Sequence, residues 1–195
     1  SLLRVLGRIA HASALPILYQ SAQDADADVK DAAIRALAEW PTGEPVQVLL
    51  GIAGDASASP IHRVLALRGY VVMIPKQPDA TDDQILDNYA KAMQLAGRNE
   101  DKQLVLSRLG FVRHRRALEM ARQQARDPAL KQAAEIAAQN IEERLAAPAR
   151  VTASHNPDRA HNAIDKDPNT RWDTGGVQQG GEWFRIELDE DSLIK

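Results

Sequence analysis

The feature that most constrains this chain is an internal repetition. The segment AIRALAEW at 33–40 aligns with ALRGYVVM at 66–73, and LLRVLGRIAH at 2–11 aligns with VLSRLGFVRH at 105–114. Taking Leu6, Leu37, Tyr70, Leu109 and Ile141 as equivalent gives steps of 31, 33, 39 and 32 residues. The long step contains the loop Pro75-Lys76-Gln77-Pro78-Asp79-Ala80, which accounts for its excess. A period in this range, with two helices per unit, describes a stack in which each unit covers its neighbour's apolar side. The spacing predicts an all-α superhelix, or solenoid, over 1–146, with a short, incomplete β-rich segment over 147–195.

Helix start signals recur in step with the repeat. Ser13 is expected to cap a helix to about Gln23, and Asp26 or Asp28 the next, through Trp40. Thr42, just before Gly43-Glu44-Pro45, opens a third, and Ser59-Pro60 combines an N-cap with proline at the first helical position. Thr81-Asp82-Asp83-Gln84 reads as a capping box, and Asp127-Pro128 repeats the cap-plus-proline device. Between these signals apolar residues keep a helical period, as in Ile34, Leu37 and Ala38, or Ile136, Ile141 and Leu145. Acids fall between the helices of a unit (Asp24, Asp55, Glu100, Asp127) and bases early in the second helix (Lys30, Arg63, Lys102). These are expected to form a ladder that fixes register, since surface pairs contribute only about 0–1 kcal/mol each.

Composition narrows the function classes. Lys+Arg and Asp+Glu balance over 1–148, and the formal charge of -3 comes from the remaining 47 residues. A neutral stack is a poor general phosphate binder, so nucleic acid is not the expected partner. The absence of cysteine excludes disulfides, thiolate zinc and thiol catalysis. No apolar run approaches the ~18 residues of a membrane span. Ser1-Leu2-Leu3-Arg4 lacks the basic start and apolar core of a signal peptide, but the chain reads as opening inside a helix, as a piece of a longer protein would, so this says nothing of where the parent resides.

The segment DADADVKDAAIRALAEW at 24–40 resembles the second half of a HEAT repeat, including the relatives once named for phycobilin lyases. In that pattern an Asp-rich turn precedes Val-Arg and an Ala/Leu helix; here Lys30 stands in place of the arginine. The resemblance covers 1–146 and implies a HEAT-like α-α scaffold whose concave face binds a protein partner. It implies no chemistry.

After Ala147-Pro148-Ala149 the composition changes. VTAS at 151–154 reads as a short strand, and EWFRIEL at 182–188 as an alternating one, with Trp183, Arg185 and Glu187 on one face and Phe184, Ile186 and Leu188 on the other. Gly175-Gly176 and Gly180-Gly181 mark loops. Ala153-Ser154, then Ala163 through Asp165, Asp167 and Thr170 to Trp172, then Trp183 and Glu187-Leu188, resemble the opening of a discoidin domain. This is the coagulation factor V/VIII C-type domain, akin to family-32 carbohydrate-binding modules. Lys166 replaces the pattern's glycine, and the residues after Pro148 are too few to close the family's two-sheet sandwich.

Candidate sites each have a plain alternative. Asp165, Asp167, Asn169 and Thr170 alternate oxygen side chains on a tight loop, which suits calcium, as the discoidin resemblance also implies; the alternative is an Asx-rich turn without metal. Trp172 and Trp183 either stack on sugar rings or form sandwich core. Arg113, Arg115, Arg116, Arg122 and Arg126 form the one basic cluster, with Arg115, Arg122 and Arg126 spaced to share a helix face. That cluster is either a patch for an acidic partner or a solvated face paired with Glu119 and Asp127. The five histidines lack metal spacing, and His11 and His114 fall at equivalent repeat positions, which predicts a structural or exposed role.

The expected function is a non-enzymatic protein-interaction scaffold. The adjacent discoidin resemblance implies a larger, exported bacterial protein whose complete second domain attaches to carbohydrate or a cell surface. The alternatives are a HEAT-like enzyme acting on DNA bases or attaching bilins, and a spacer between catalytic domains.

Overall fold

The computed structural model describes residues 2–146, 150–164, 167, 169–177 and 180–187. The chain divides into two compact units, Ser1–Arg144 and Leu145–Lys195. The first is entirely helical among its described elements: α1 (Leu2–Ile9), α2 (Leu15–Ser21), α3 (Ala27–Ala38), α4 (Val46–Gly54), α5 (Pro60–Met73), α6 (Asp82–Leu95), α7 (Asn99–Leu109), α8 (Arg115–Gln124) and α9 (Lys131–Ala146).

The five equivalent positions fall one each on α1, α3, α5, α7 and α9, the second helices of successive pairs. Leu37, Tyr70, Leu109 and Ile141 are fully buried. Burying such side chains contributes about 1.5–3 kcal/mol each. Second helices pack on one another in order, α3 against both α1 and α5, and α5 against α7. Small residues set the approach. A Cβ on Gly7 would lie 2.7 Å from the Ala36 Cβ, and one on Gly69 2.7 Å from both the Cα and the Cβ of Ala38. In repeat register these are one contact made twice, with the residue after one equivalent position meeting the residue before the next. On α1 the apolar residues Leu2, Val5 and Ile9 are exposed, whereas their counterparts on α3 and α5, Ala33, Ala36, Trp40 and Ala66, Gly69, Met73, are buried.

Several starts match their signals. Asp26 accepts from the N–H groups of Asp28 and Val29, Ser59 from His62, and the Thr81–Gln84 capping box is complete. Others differ. His11, not Ser13, caps the 3-10 turn Ala12–Ala14 that leads into α2, its Nδ1 accepting the Ser13 N–H. His114 caps α8 in the same way by accepting from Arg116, so the repeat-equivalent histidines are equivalent caps. Thr42 does not open α4. Residues 43–46 form a turn closed by Val46 N–H to Gly43 C=O, with Pro45 as the residue before the helix. Asp127-Pro128 likewise makes a turn, in which Asp127 accepts from Ala129, and α9 begins at Lys131. Ile136 is exposed on α9; the buried stripe is Ala134, Ala137, Ala138 and Ile141.

The expected acid–base ladder is replaced by turn chemistry. Asp24, Asp55 and Asp127 each accept the N–H of the residue two positions on, an Asx turn repeated between helices. The Asp55 carboxyl is held below its ordinary value chiefly by Ser57, and the field of Arg63 adds a small part. Among the described residues the ion pairs that bridge units lie elsewhere, Arg68 to Asp101 and Arg116 to Asp83 and Asp87, and His62 Nε2 lies 3.5 Å from an Asp31 oxygen.

The second unit holds a two-stranded antiparallel sheet, β1 (Arg150–Ala153) with β2 (Phe184–Glu187), in the register Val151 to Ile186. Ser154 extends the pairing: its N–H and hydroxyl both donate to the Trp183 carbonyl, and its hydroxyl accepts the Trp183 N–H. Gly175, Gly180 and Gly181 adopt the left-handed backbone that loops there require. Ile186 is exposed, so the apolar face of β2 is incompletely covered, and Leu188 lies outside the described residues.

Candidate functional site

On the second-helix layer, α5 presents an apolar strip that its neighbours leave open. Pro60, Ile61, Val64, Leu65 and Arg68 line a groove of about 380 Å³, joined by Arg35 from α3 and Arg98 before α7. Ile61 is 67% exposed. The spacing is helical, so these side chains share one face of α5 while Ala66, Tyr70 and Met73 fill the core.

Three guanidinium groups frame this strip and two carboxylates hold them. Asp31 takes Arg35 at 2.7 and 3.1 Å, one turn apart on α3. Asp101, 1% exposed, accepts Nε of Arg68 at 2.9 Å and both Nε and Nη2 of Arg98 at 2.8 and 3.1 Å. Burial is the largest single influence on the Asp101 carboxyl and pushes it up. The two guanidinium groups together outweigh it and hold the group below the ordinary carboxylate range. Asp31 is also lowered, chiefly by its hydrogen bond from Arg35. The Arg35, Arg68 and Arg98 side chains remain 40%, 49% and 50% exposed, so each cation is fixed at its inner end and open at its outer one. Glu39 near Arg35 and Glu100 near Arg98 add to the field of Asp31 and Asp101, so the rim is mixed in charge, with the guanidinium groups as its donors. An apolar floor with guanidinium groups at its rim suits a segment that carries both apolar and acidic side chains.

This site was absent from the sequence reading, although a signal exists. Arg35 and Arg68 stand two residues before Leu37 and Tyr70, as Arg4 stands before Leu6. Extending the register by side-chain type exposes that row. The partner of Arg68, however, comes from the next unit, 33 residues on, and pairwise contact is invisible to local pattern.

The predicted basic cluster is dispersed by its pairings. Arg116 bonds Asp83 and Asp87 of α6, and Arg122 bonds Glu142 of α9. Arg126 lies beyond the end of α8, so it does not continue the helical face of Arg115 and Arg122. Arg113 is partly buried and Arg115 exposed in the segment that leads into α8. The acids that pair with Arg116 and Arg122 come from neighbouring helices and not from Glu119 or Asp127.

In the second unit, Asp165 lies outside the described residues. Asp167 Oδ1 accepts both the backbone N–H and the side-chain amide of Asn169, and the Thr170 N–H and hydroxyl donate to the Asp167 carbonyl. These bonds make an Asx turn. Among the described residues no group of three His, Cys, Asp or Glu side chains is placed to hold a metal ion. The tryptophans part company. Trp172 packs on Phe184 at 5.1 Å between ring centroids and donates Nε1–H to the His155 carbonyl, as a framework residue does. Trp183 is 50% exposed.

No described helix is long and apolar enough to cross a membrane. No curated protein and no solved structure matches the chain significantly. Residues 1–68, which run from α1 into α5, match the family model for HEAT repeats.

Proposed function

We propose that the helical unit is a non-catalytic scaffold that holds an acidic, amphipathic segment of a partner protein against the α5 groove. HEAT repeats typically mediate protein–protein interaction. The observation that carries the finer reading is the exposed Ile61–Val64–Leu65 strip framed by three arginines on two carboxylates. Of the aromatic residues that could serve the enzyme alternatives, Trp40, Tyr70 and Tyr89 are core side chains not placed to stack on a base, while Tyr19 is partly exposed and donates its hydroxyl to the Glu44 carbonyl. Asp101, the one buried carboxylate among the described residues, is taken up by Arg68 and Arg98.

The test uses fluorescein-labelled helical peptides of alternating Leu and Glu turns, with Lys-for-Glu peptides as the control, read by anisotropy. The reading predicts that the acidic peptide binds with a Kd of about 100 µM or tighter, weakened at least tenfold by Ile61→Asp or Arg35→Gln. Equal binding of acidic and basic peptides, or no effect of Ile61→Asp, refutes it.

A second reading concerns the C-terminal unit, whose discoidin-like motif we read as part of a carbohydrate-binding module of an exported protein. The half-exposed Trp183 ring favours it, because an open aromatic face stacks on a sugar ring. A glycan array probed with and without calcium tests both this and the proposed calcium site. Glycan binding lost in Trp183→Ala supports the reading, and absence of binding in either condition opposes it.

A further inference from the structure

The apolar strip on α5 belongs to one helical pair and not to the stack. Ile61, Val64 and Leu65 stand nine, six and five residues before Tyr70. Counting back in the same way from Leu37 on α3 and Leu109 on α7 gives the flanking rows. Nine residues before, α3 carries Asp28 and α7 carries Glu100, both exposed. Six before, they carry Asp31 and Gln103. Five before, the neighbours are apolar, but Ala32 is buried and Leu104 is half-buried. The open apolar surface therefore runs down α5, with polar or acidic side chains on either flank over most of its length.

Along α5 the strip has the form of a seam between helices. Ile61, Val64, Leu65 and Arg68 stand at i, i+3, i+4 and i+7, the spacing by which one helix receives another laid along it. The aliphatic stem of Arg68 extends the seam while its guanidinium group is held by Asp101. From Pro60 to Arg68 the strip spans about 12 Å, or roughly two turns. The space above it is about 380 Å³. That lies near the lower end of the range of about 300–1,000 Å³ for binding sites, so it takes a few side chains and not a long segment.

Charge selects the same direction. An acidic segment lying along α5 passes Arg35 on one side and Arg98 on the other, with Arg68 at the end of the strip. The same segment laid across the stack leaves these donors and meets Asp28 on α3 or Glu100 on α7. Asp31 and Asp101 are engaged by arginines, whereas Asp28 and Glu100 are exposed acids that repel an acidic chain.

Building on the acidic-segment reading of this groove, we propose that its occupant is a single acidic helix of about two turns, laid lengthwise on α5 and confined to that helical pair. A segment that crosses successive pairs does not fit it.

The probe is a sixteen-residue Leu/Glu peptide held helical by i,i+4 lactam bridges, with a nitroxide at one end or the other, added to the ¹⁵N-labelled full chain and followed by NMR. The two labels are expected to broaden opposite ends of α5, amides near 59–62 for one and near 69–73 for the other, with α3 and α7 affected alike by both. A nine-residue bridged peptide is expected to bind within about threefold of the longer one, and Leu104→Gln to leave both affinities within about twofold. Ile61→Asp weakens both at least tenfold. One label broadening α3 and the other α7, an affinity that rises tenfold or more from nine to sixteen residues, or a tenfold loss in Leu104→Gln overturns the lengthwise seat and leaves the acidic-segment reading standing. No binding of either peptide overturns both.

Discussion

Replacing Asp101 by asparagine tests the electrostatics of the α5 groove. The carboxylate is 1% exposed and accepts three charge-assisted hydrogen bonds from Arg68 and Arg98. Bonds of this type contribute about 1.5–3 kcal/mol each. Their sum overstates the loss, because both arginines are about half exposed and regain hydration when released. The asparagine is also relieved of the cost of burying a charge. In the other direction, Asp101 sits in the first turn of α7, where a negative charge gains about 0.3–1 kcal/mol from the helix dipole. The balance is a loss of about 1–3 kcal/mol near neutral pH, or a melting temperature lower by roughly 3–10 °C. The pH dependence has a definite sign. The folded carboxyl titrates below its ordinary value of about 3.9, so the pair's contribution is complete above that pH. It is lost as acid protonates the native group, and wild type and Asp101→Asn converge there. Urea unfolding followed by circular dichroism, near neutral pH and then at successively lower pH, measures both differences. Equal stability at neutral pH, or a gap that does not narrow as the pH falls below the ordinary carboxylate range, refutes the reasoning.

Other substitutions probe separate parts of the stack. His114→Ala is expected to cost about 0.5–2 kcal/mol by removing the α8 cap, and His114→Asn to restore most of it, by the same urea assay. Gly51 sits within α4 with open space where a Cβ would stand, so Gly51→Ala should stabilise by roughly 0.5–1 kcal/mol through helix propensity alone. Burial pushes the phenols of Tyr70 and Tyr89 up to about 12. An alkaline absorbance titration should therefore leave these two of the three tyrosines largely protonated near pH 10 until the chain unfolds.

The helical stack was legible because its signals are local and repeated. The equivalence of Leu6, Leu37, Tyr70, Leu109 and Ile141 needs only apolar period and spacing, and each lies on the helix expected. The starts at Asp26, Ser59 and Thr81 were legible because a cap and its N–H partners lie within three residues. Those at Thr42 and Asp127 misled because each falls at a separate turn before its helix begins. The close approach at Gly7 and Gly69 was overlooked although both glycines flank equivalent positions, because a small residue in a helix reads as weak propensity until the neighbour is known. The groove over α5 depends on side chains brought together from different units, which no single-helix pattern reports.

The account turns on second helices meeting at matched small residues, and a double-mutant cycle at Ala38 and Gly69 tests that contact directly. Gly69→Ala gains about 1 kcal/mol of helix propensity but drives a Cβ to within 2.7 Å of the Ala38 Cα and Cβ, an overpacking that costs about 1–3 kcal/mol. The account predicts net destabilisation by Gly69→Ala. It also predicts a coupling of about 0.5–3 kcal/mol, with Ala38→Gly recovering part of the loss. If Gly69→Ala stabilises as Gly51→Ala does, and the two changes simply add, the second helices do not meet in this register.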